Sequence, residues 1–154
     1  MSVDSDTTKD DTAAVTKTVK AARAKPEIDA EHFPTLAEML DKKRATQDLK
    51  FKLDPDSEQV VTLKFVALRG PDFDALVAKF PPTQAQKADG GTYDGDRLAP
   101  ALVAAVCTQP AFSVAEWTQI MKSDQWSRGE TADLFFAAMG LCNRGLTLGP
   151  TGAG

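Results

Sequence analysis

The sequence predicts an α+β fold, mostly helical, with a small antiparallel β-hairpin packed on a bundle of about five short helices, behind a disordered N-terminal tail. Three observations carry this expectation. Between Ala111 and Gly145, two consecutive helices open with the same capping device. Two alternating runs, Leu49–Leu53 and Val61–Phe65, flank a polar turn. The first thirty or so residues carry few large apolar side chains and cannot bury enough surface to offset their ordering entropy.

The capped pair anchors the rest. In Ser113-Val114-Ala115-Glu116 and again in Ser127-Arg128-Gly129-Glu130, a serine oxygen suits the N–H at the third helical position, and the glutamate reaches back to the serine N–H. Phe112 and Trp117 stand at the spacing of a hydrophobic staple. Gly145 lies just past the second helix, where a left-handed cap residue belongs.

The chain has 154 residues, 42% of them hydrophobic, which suits one packed domain plus tails. Residues 1–31 read as a disordered tail, 32–145 as a single globular domain and 146–154 as a flexible, Gly-rich end. Within the tail, Ala13–Ala24 has good helix formers and two valines four apart, but a solvated segment is the expectation. The net charge of −4 without a basic cluster argues against nucleic acid and against an anionic membrane surface. No apolar run approaches the ~18–20 residues of a membrane span, and the polar N-terminus does not read as a signal peptide. Two cysteines, Cys107 and Cys142, suggest free thiols in a cytoplasmic protein rather than a disulfide framework.

Structure is expected from Phe33. Thr35-Leu36-Ala37-Glu38 is a third capping box, with Leu36, Met39 and Leu40 on one face and Lys42, Lys43 and Arg44 near the C-terminal end. After the hairpin, Gly70-Pro71 opens a helix with proline at its start, and Phe73, Leu76, Val77 and Phe80 form its apolar stripe until Pro81-Pro82. Thr83–Gly95 reads as a polar loop, flexible around Gly90-Gly91. Asp96 is the expected cap of the next helix, which puts Pro100 in its first turn. Leu98, Leu102, Val103 and Val106 give its buried stripe, and Thr108–Pro110 breaks it.

Candidate chemistry is sparse. Asp54, Asp56 and Glu58 alternate as in a calcium loop, but Gln59 replaces the sharp-turn glycine and Phe65 the bidentate glutamate, so they read as turn residues. His32 has no ligand-spaced partner for a metal. Both cysteines fall on apolar helix faces without a neighbouring histidine, and read as buried thiols. No nucleophile elbow, phosphate loop, dinucleotide fingerprint or zinc spacing occurs, so no catalytic residue, metal or cofactor is assigned.

The informative anomaly is the last helix. Leu134, Phe135, Ala138, Leu141 and Cys142 fill one apolar face of ordinary width, and Ala132, Phe136 and Met139 make a second. Two readings follow: a central helix wrapped by its own domain, or an interaction surface for another chain. On the second reading Ala132, Phe136 and Met139 are the candidate protein-binding residues.

From Phe65 onward the sequence resembles the tail assembly chaperones of long-tailed bacteriophages, particularly those of actinobacterial phages. The resemblance is carried by Arg69-Gly70-Pro71-Asp72-Phe73-Asp74-Ala75-Leu76, then Phe80-Pro81-Pro82-Thr83-Gln84-Ala85-Gln86, then Tyr93-Asp94-Gly95-Asp96-Arg97-Leu98-Ala99-Pro100-Ala101-Leu102. Pro110 and the stretch from Trp126-Ser127-Arg128-Gly129-Glu130 to Asn143 complete it. The joint order of these caps and core residues carries it, rather than any one motif.

The resemblance implies a non-enzymatic chaperone, made in the host cytoplasm during phage assembly and absent from the finished virion. Its partners would be the tape measure protein, whose long aggregation-prone helix such chaperones coat while tube subunits are recruited, and a longer frameshifted form of itself. It could also self-associate as a homo-oligomer. The alternative is a small structural subunit retained in the tail, which a sheet-rich sequence would favour; an unrelated enzyme or regulator is disfavoured by the missing motifs. Deleting residues 1–31 is expected to leave the thermal unfolding midpoint unchanged within a few degrees. A larger fall, read by calorimetry, would show that the segment is packed.

Overall fold

A computed structural model describes residues 31–149. Among them are helices α1 (Leu36–Leu40), α2 (Gly70–Ala78), α3 (Gln84–Ala88), α4 (Gly95–Val106), α5 (Val114–Met121) and α6 (Arg128–Cys142), and strands β1 (Thr46–Phe51), β2 (Val61–Val66) and β3 (Cys107–Gln109). The class is α+β, mostly helical, as the sequence predicts. The expected disorder of residues 1–30, and the Gly-rich end from residue 150, lie outside the described residues.

The chain divides into two units, Met1–Lys42 and Lys43–Gly154. Within the first unit, α1 has its predicted capping box. Thr35 Oγ1 accepts from the Glu38 N–H at 3.1 Å, and the Glu38 carboxylate accepts from the Thr35 N–H at 2.9 Å. That backbone bond, with His32 at 3.1 Å, holds the Glu38 carboxyl below its usual range. The helix closes at Asp41, so the cations expected in its last turn lie beyond it. Phe33, Leu36, Met39 and Leu40 are all exposed.

In the second unit, α4 is the centre. Leu98, Leu102, Val103 and Val106 are fully buried, as their spacing predicts. Around them close Leu63 and Phe65 of β2, Trp117 of α5, and Leu134, Phe135, Ala138 and Leu141 of α6. The stripe of α2, continued by Phe80, packs half-buried on the margin of this core.

The hairpin forms in the register its alternation requires, Leu49 opposite Leu63 and Phe51 opposite Val61, with β1 starting earlier than expected at Thr46. A hairpin alone is marginal in water. Its inner face is supported by the segments on either side of α6: Phe51 meets Trp126 edge-on at 5.9 Å between ring centres, and Arg144 donates to the Gln47 side-chain oxygen at 3.0 Å. The hairpin also gains a strand that the sequence reading missed. Thr108–Pro110 does not merely break a helix; Cys107–Gln109 runs antiparallel to β2, giving a sheet of order β1-β2-β3. Cys107 therefore lies on a strand, not on a helix face, and Thr108 Oγ1 donates to the Lys64 carbonyl at 3.1 Å.

The stretch expected as a flexible loop holds α3. Thr83 and Gln86 form a capping box, with Thr83 Oγ1 accepting at 3.2 Å and Gln86 Oε1 accepting at 2.8 Å. Gly90, at φ 86°, lets the chain turn back, and Gly91 donates to the Gln86 carbonyl at 2.7 Å. A Cβ on Gly91 would stand 2.9 Å from that oxygen, which only glycine avoids. The other end of Gln86 donates to Asp94 Oδ1 at 3.0 Å, while the Asp94 N–H donates to the Phe80 carbonyl at 2.8 Å. Asp94, the buried charged residue of this region, is thereby the residue from which α4 starts; the expected cap, Asp96, falls in the first turn. Pro100 consequently sits two positions deeper than expected, inside the helix, and leaves the Asp96 carbonyl without its intrahelical donor.

The C-terminal pair opens as the sequence predicts, but α6 closes at Asn143, and Gly145 does not take the left-handed conformation expected of a cap residue. Both boxes are formed, with serine oxygens accepting at 3.1 Å and glutamates accepting at 2.8 Å. Phe112 packs on Trp117 at 5.3 Å, the staple contact. Ser113→Ala and Ser127→Ala are each expected to cost about 0.5–2 kcal/mol. Urea denaturation midpoints equal to wild type would show that these caps carry no stability.

Candidate protein-binding face

The sequence assigns opposite duties to the two flanks of α6, and burial separates them. Leu134, at 2% exposure, Phe135, Ala138 and Leu141 enter the core, and Cys142 is half-buried, so this flank is the domain's own. Phe136 is 64% exposed. The helix is thus not wrapped on all sides; α4 buries more residues, with Asp96, Arg97 and Ala105 left exposed.

The three candidate residues do not share one environment. Ala132 is half-buried in the wall of a groove of about 640 Å³, bounded by α4, α5 and the start of α6. Its lining includes Ala99, Pro100, Met121, Trp126 and Phe135. Met139, half-buried, packs against the edge of the core. Phe136 alone projects, its ring 5.6 Å from that of Phe135, which in turn lies 6.3 Å from Tyr93. The row Phe136–Phe135–Tyr93 fixes the exposed ring on a rigid base, since tilted aromatic pairs at such separations attract. Ala132, Phe136 and Met139 still follow one another along a single flank, one turn apart.

The groove is also lined by Asp96, Lys122 and Arg128. Ser127 and the Glu130 N–H are engaged in the α6 capping box. The apolar part of such a groove can take a small-faced apolar helix or extended chain.

The remaining candidate groups are dispersed. Asp54 accepts the Asp56 N–H at 3.0 Å, the turn role expected of it. Cys107 is buried, its thiol donating to the Pro110 carbonyl at 3.3 Å, and Cys142 accepts the Leu68 N–H at 3.5 Å. Burial pushes both thiols above their ordinary range, so neither is an activated nucleophile at neutral pH. Exposed Arg69 and Asp72 pair at 2.8 Å, the guanidinium holding the carboxyl low. Among the described residues no group of three or more His, Cys, Asp or Glu is placed to hold a metal ion, and no helix is long and apolar enough to cross a membrane.

No family model matches the chain, and no curated protein or solved structure gives a match.

Phe136→Asp is expected to change folding stability by no more than about 1 kcal/mol, the scale of one aromatic contact. Leu134→Asp, which buries a charge without a partner, is expected to cost about 3 kcal/mol or more. Guanidinium unfolding of the two variants reads this directly. Equal losses would make the whole circumference of α6 structural.

Proposed function

We propose that this protein is a tail assembly chaperone of a long-tailed phage, which binds the tape measure protein at the α6 flank of Ala132, Phe136 and Met139. One observation carries the reading: a phenylalanine 64% exposed on a firmly capped helix, beside an apolar groove. The ordered likeness to such chaperones from Phe65 to Asn143 gives the partner its identity. A tape measure helix offers repeated apolar residues along one side, and an aromatic ring with a methionine behind it suits many such sequences in turn.

The role is non-enzymatic and belongs to the host cytoplasm during assembly. Co-expression with a tape measure fragment, followed by size-exclusion chromatography, tests the reading. The wild-type chain is expected to keep the fragment soluble and to co-elute with it. Phe136→Asp is expected to remain folded and to lose the fragment by at least about tenfold in affinity, the effect of removing one aromatic anchor. No co-elution of the wild type overturns the reading, and finding the protein in purified virions by mass spectrometry replaces it with a structural tail subunit.

A further inference from the structure

Strand β1 is an edge of the sheet: β2 lies on one side, and no strand lies on the other among the described residues. Its pairing fixes which backbone groups point outwards. Ala67 donates its N–H to the Ala45 carbonyl at 2.9 Å, so Ala45 and, by alternation, Gln47, Leu49 and Phe51 direct their polar groups at β2. The N–H and C=O groups of Thr46, Asp48 and Lys50 point away from the sheet, and none is bonded within the described residues. The strand has no proline, and its pairing with β2 has no bulge, two devices that blunt exposed edges.

Charge decides what such an edge accepts. The side chains of Asp48 and Lys50 are exposed on the outer face. When two copies pair antiparallel about a two-fold axis, outward-pointing residues must meet each other. Centring the axis on Asp48 sets that carboxylate against its own copy, and centring it on Lys50 does the same to the ammonium. Centring it on Leu49 places Asp48 opposite Lys50 of the second copy, twice over. Asp48 then stands between Lys64 of its own chain, at 3.4 Å, and the new lysine. On the inner face the same register brings the two Leu49 side chains together in a closely spaced, non-hydrogen-bonded pair. Leu49 lines a groove of about 550 Å³ beside the edge, with Phe51, Leu53, Trp126 and Leu134, and Leu53 is 65% exposed.

We propose that β1 is a self-association edge: two copies pair antiparallel about Leu49, joining their sheets into one and covering the apolar groove beside it. Self-pairing here is independent of the tape measure contact proposed on α6.

Sedimentation equilibrium of the full-length chain over a concentration series tests it. The wild type is expected to show a concentration-dependent dimer. Lys50→Pro removes an N–H that the monomer leaves facing solvent, so this variant is expected to keep its helical circular dichroism and melting transition yet stay monomeric. Lys50→Asp puts carboxylates opposite each other at both pairs and is expected to weaken dimerisation about tenfold or more. The charge swap Asp48→Lys with Lys50→Asp is expected to restore most of it. A wild type monomeric throughout, or a dimer of unchanged affinity in Lys50→Asp, overturns the proposal, as does a dimer that only Phe136→Asp dissolves. Should Lys50→Pro fail to fold, Lys50→Asp and the charge swap decide between the same outcomes.

Discussion

Burial of α4 is the constraint on which the remaining structure depends. Four of its aliphatic side chains have no contact with water, and each such burial stabilises by roughly 1.5–3 kcal/mol. Of the other helices α6 comes nearest, with Leu134, Phe135, Ala138 and Leu141 buried, while α5 has one buried residue, Trp117, and α2 has none. The sheet, α5 and α6 each contribute one apolar face to the shell around α4. Its start is fixed by Gln86 and Asp94, so the small helix α3 is a clamp on the central helix rather than a decoration of a loop. Among the described residues the buried Trp117 indole N–H has no hydrogen-bond partner, while its ring packs in the α4 shell and on Phe112.

Much of this was legible from local pattern, and the errors have local causes too. The three Ser/Thr–Glu capping boxes were readable because a cap is a contact between residues three apart. The same rule applied to Thr83 and Gln86 reveals α3; glutamine was the overlooked signal, and Gly90-Gly91, taken for flexibility, is its stop. Asp94 and Asp96 are both acceptable caps by composition. Their roles were settled by Phe80 and Gln86, whose bonds to Asp94 come from outside the helix. Strand β3 was illegible for a stronger reason. Its Cys107-Thr108-Gln109 directly continues a helix with no turn signal, and its pairing partners lie more than forty residues away in β2. Short strands of this kind are created by the sheet that receives them, not by their own propensity.

The candidate face shows the same division between pattern and context. Helical periodicity separated Leu134, Phe135, Ala138 and Leu141 from Ala132, Phe136 and Met139, and burial respects that division for the first group. Periodicity could not tell which members of the second group project. Met139 is drawn in by the core margin, and Ala132 by the approach of α4 and α5, so the exposed apolar area is concentrated on one ring. The groove itself had no signature in sequence, because its walls come from three helices and its shape depends on Pro100 lying inside α4.

The two proposed contacts use different flanks of one helix. Glu130, Asp133 and Leu134 of α6 border the groove beside β1. At 3.6 residues per turn, Ala132, Phe136 and Met139 lie about half a turn away from Glu130 and Leu134, while Asp133 lies about 60° from Phe136, between the two contacts. A second copy seated on β1 and a helix seated on Phe136 would thus meet α6 on different flanks. Joining two copies through the edge would present two Phe136 faces on one particle. A long partner with repeated apolar segments would then meet its second face as an intramolecular event, at an effective concentration set by the particle and not by the bulk solution. On these two proposals, one modest apolar face would in this way hold an extended chain firmly, because the contact at β1 and the contact on α6 draw on different flanks of the helix.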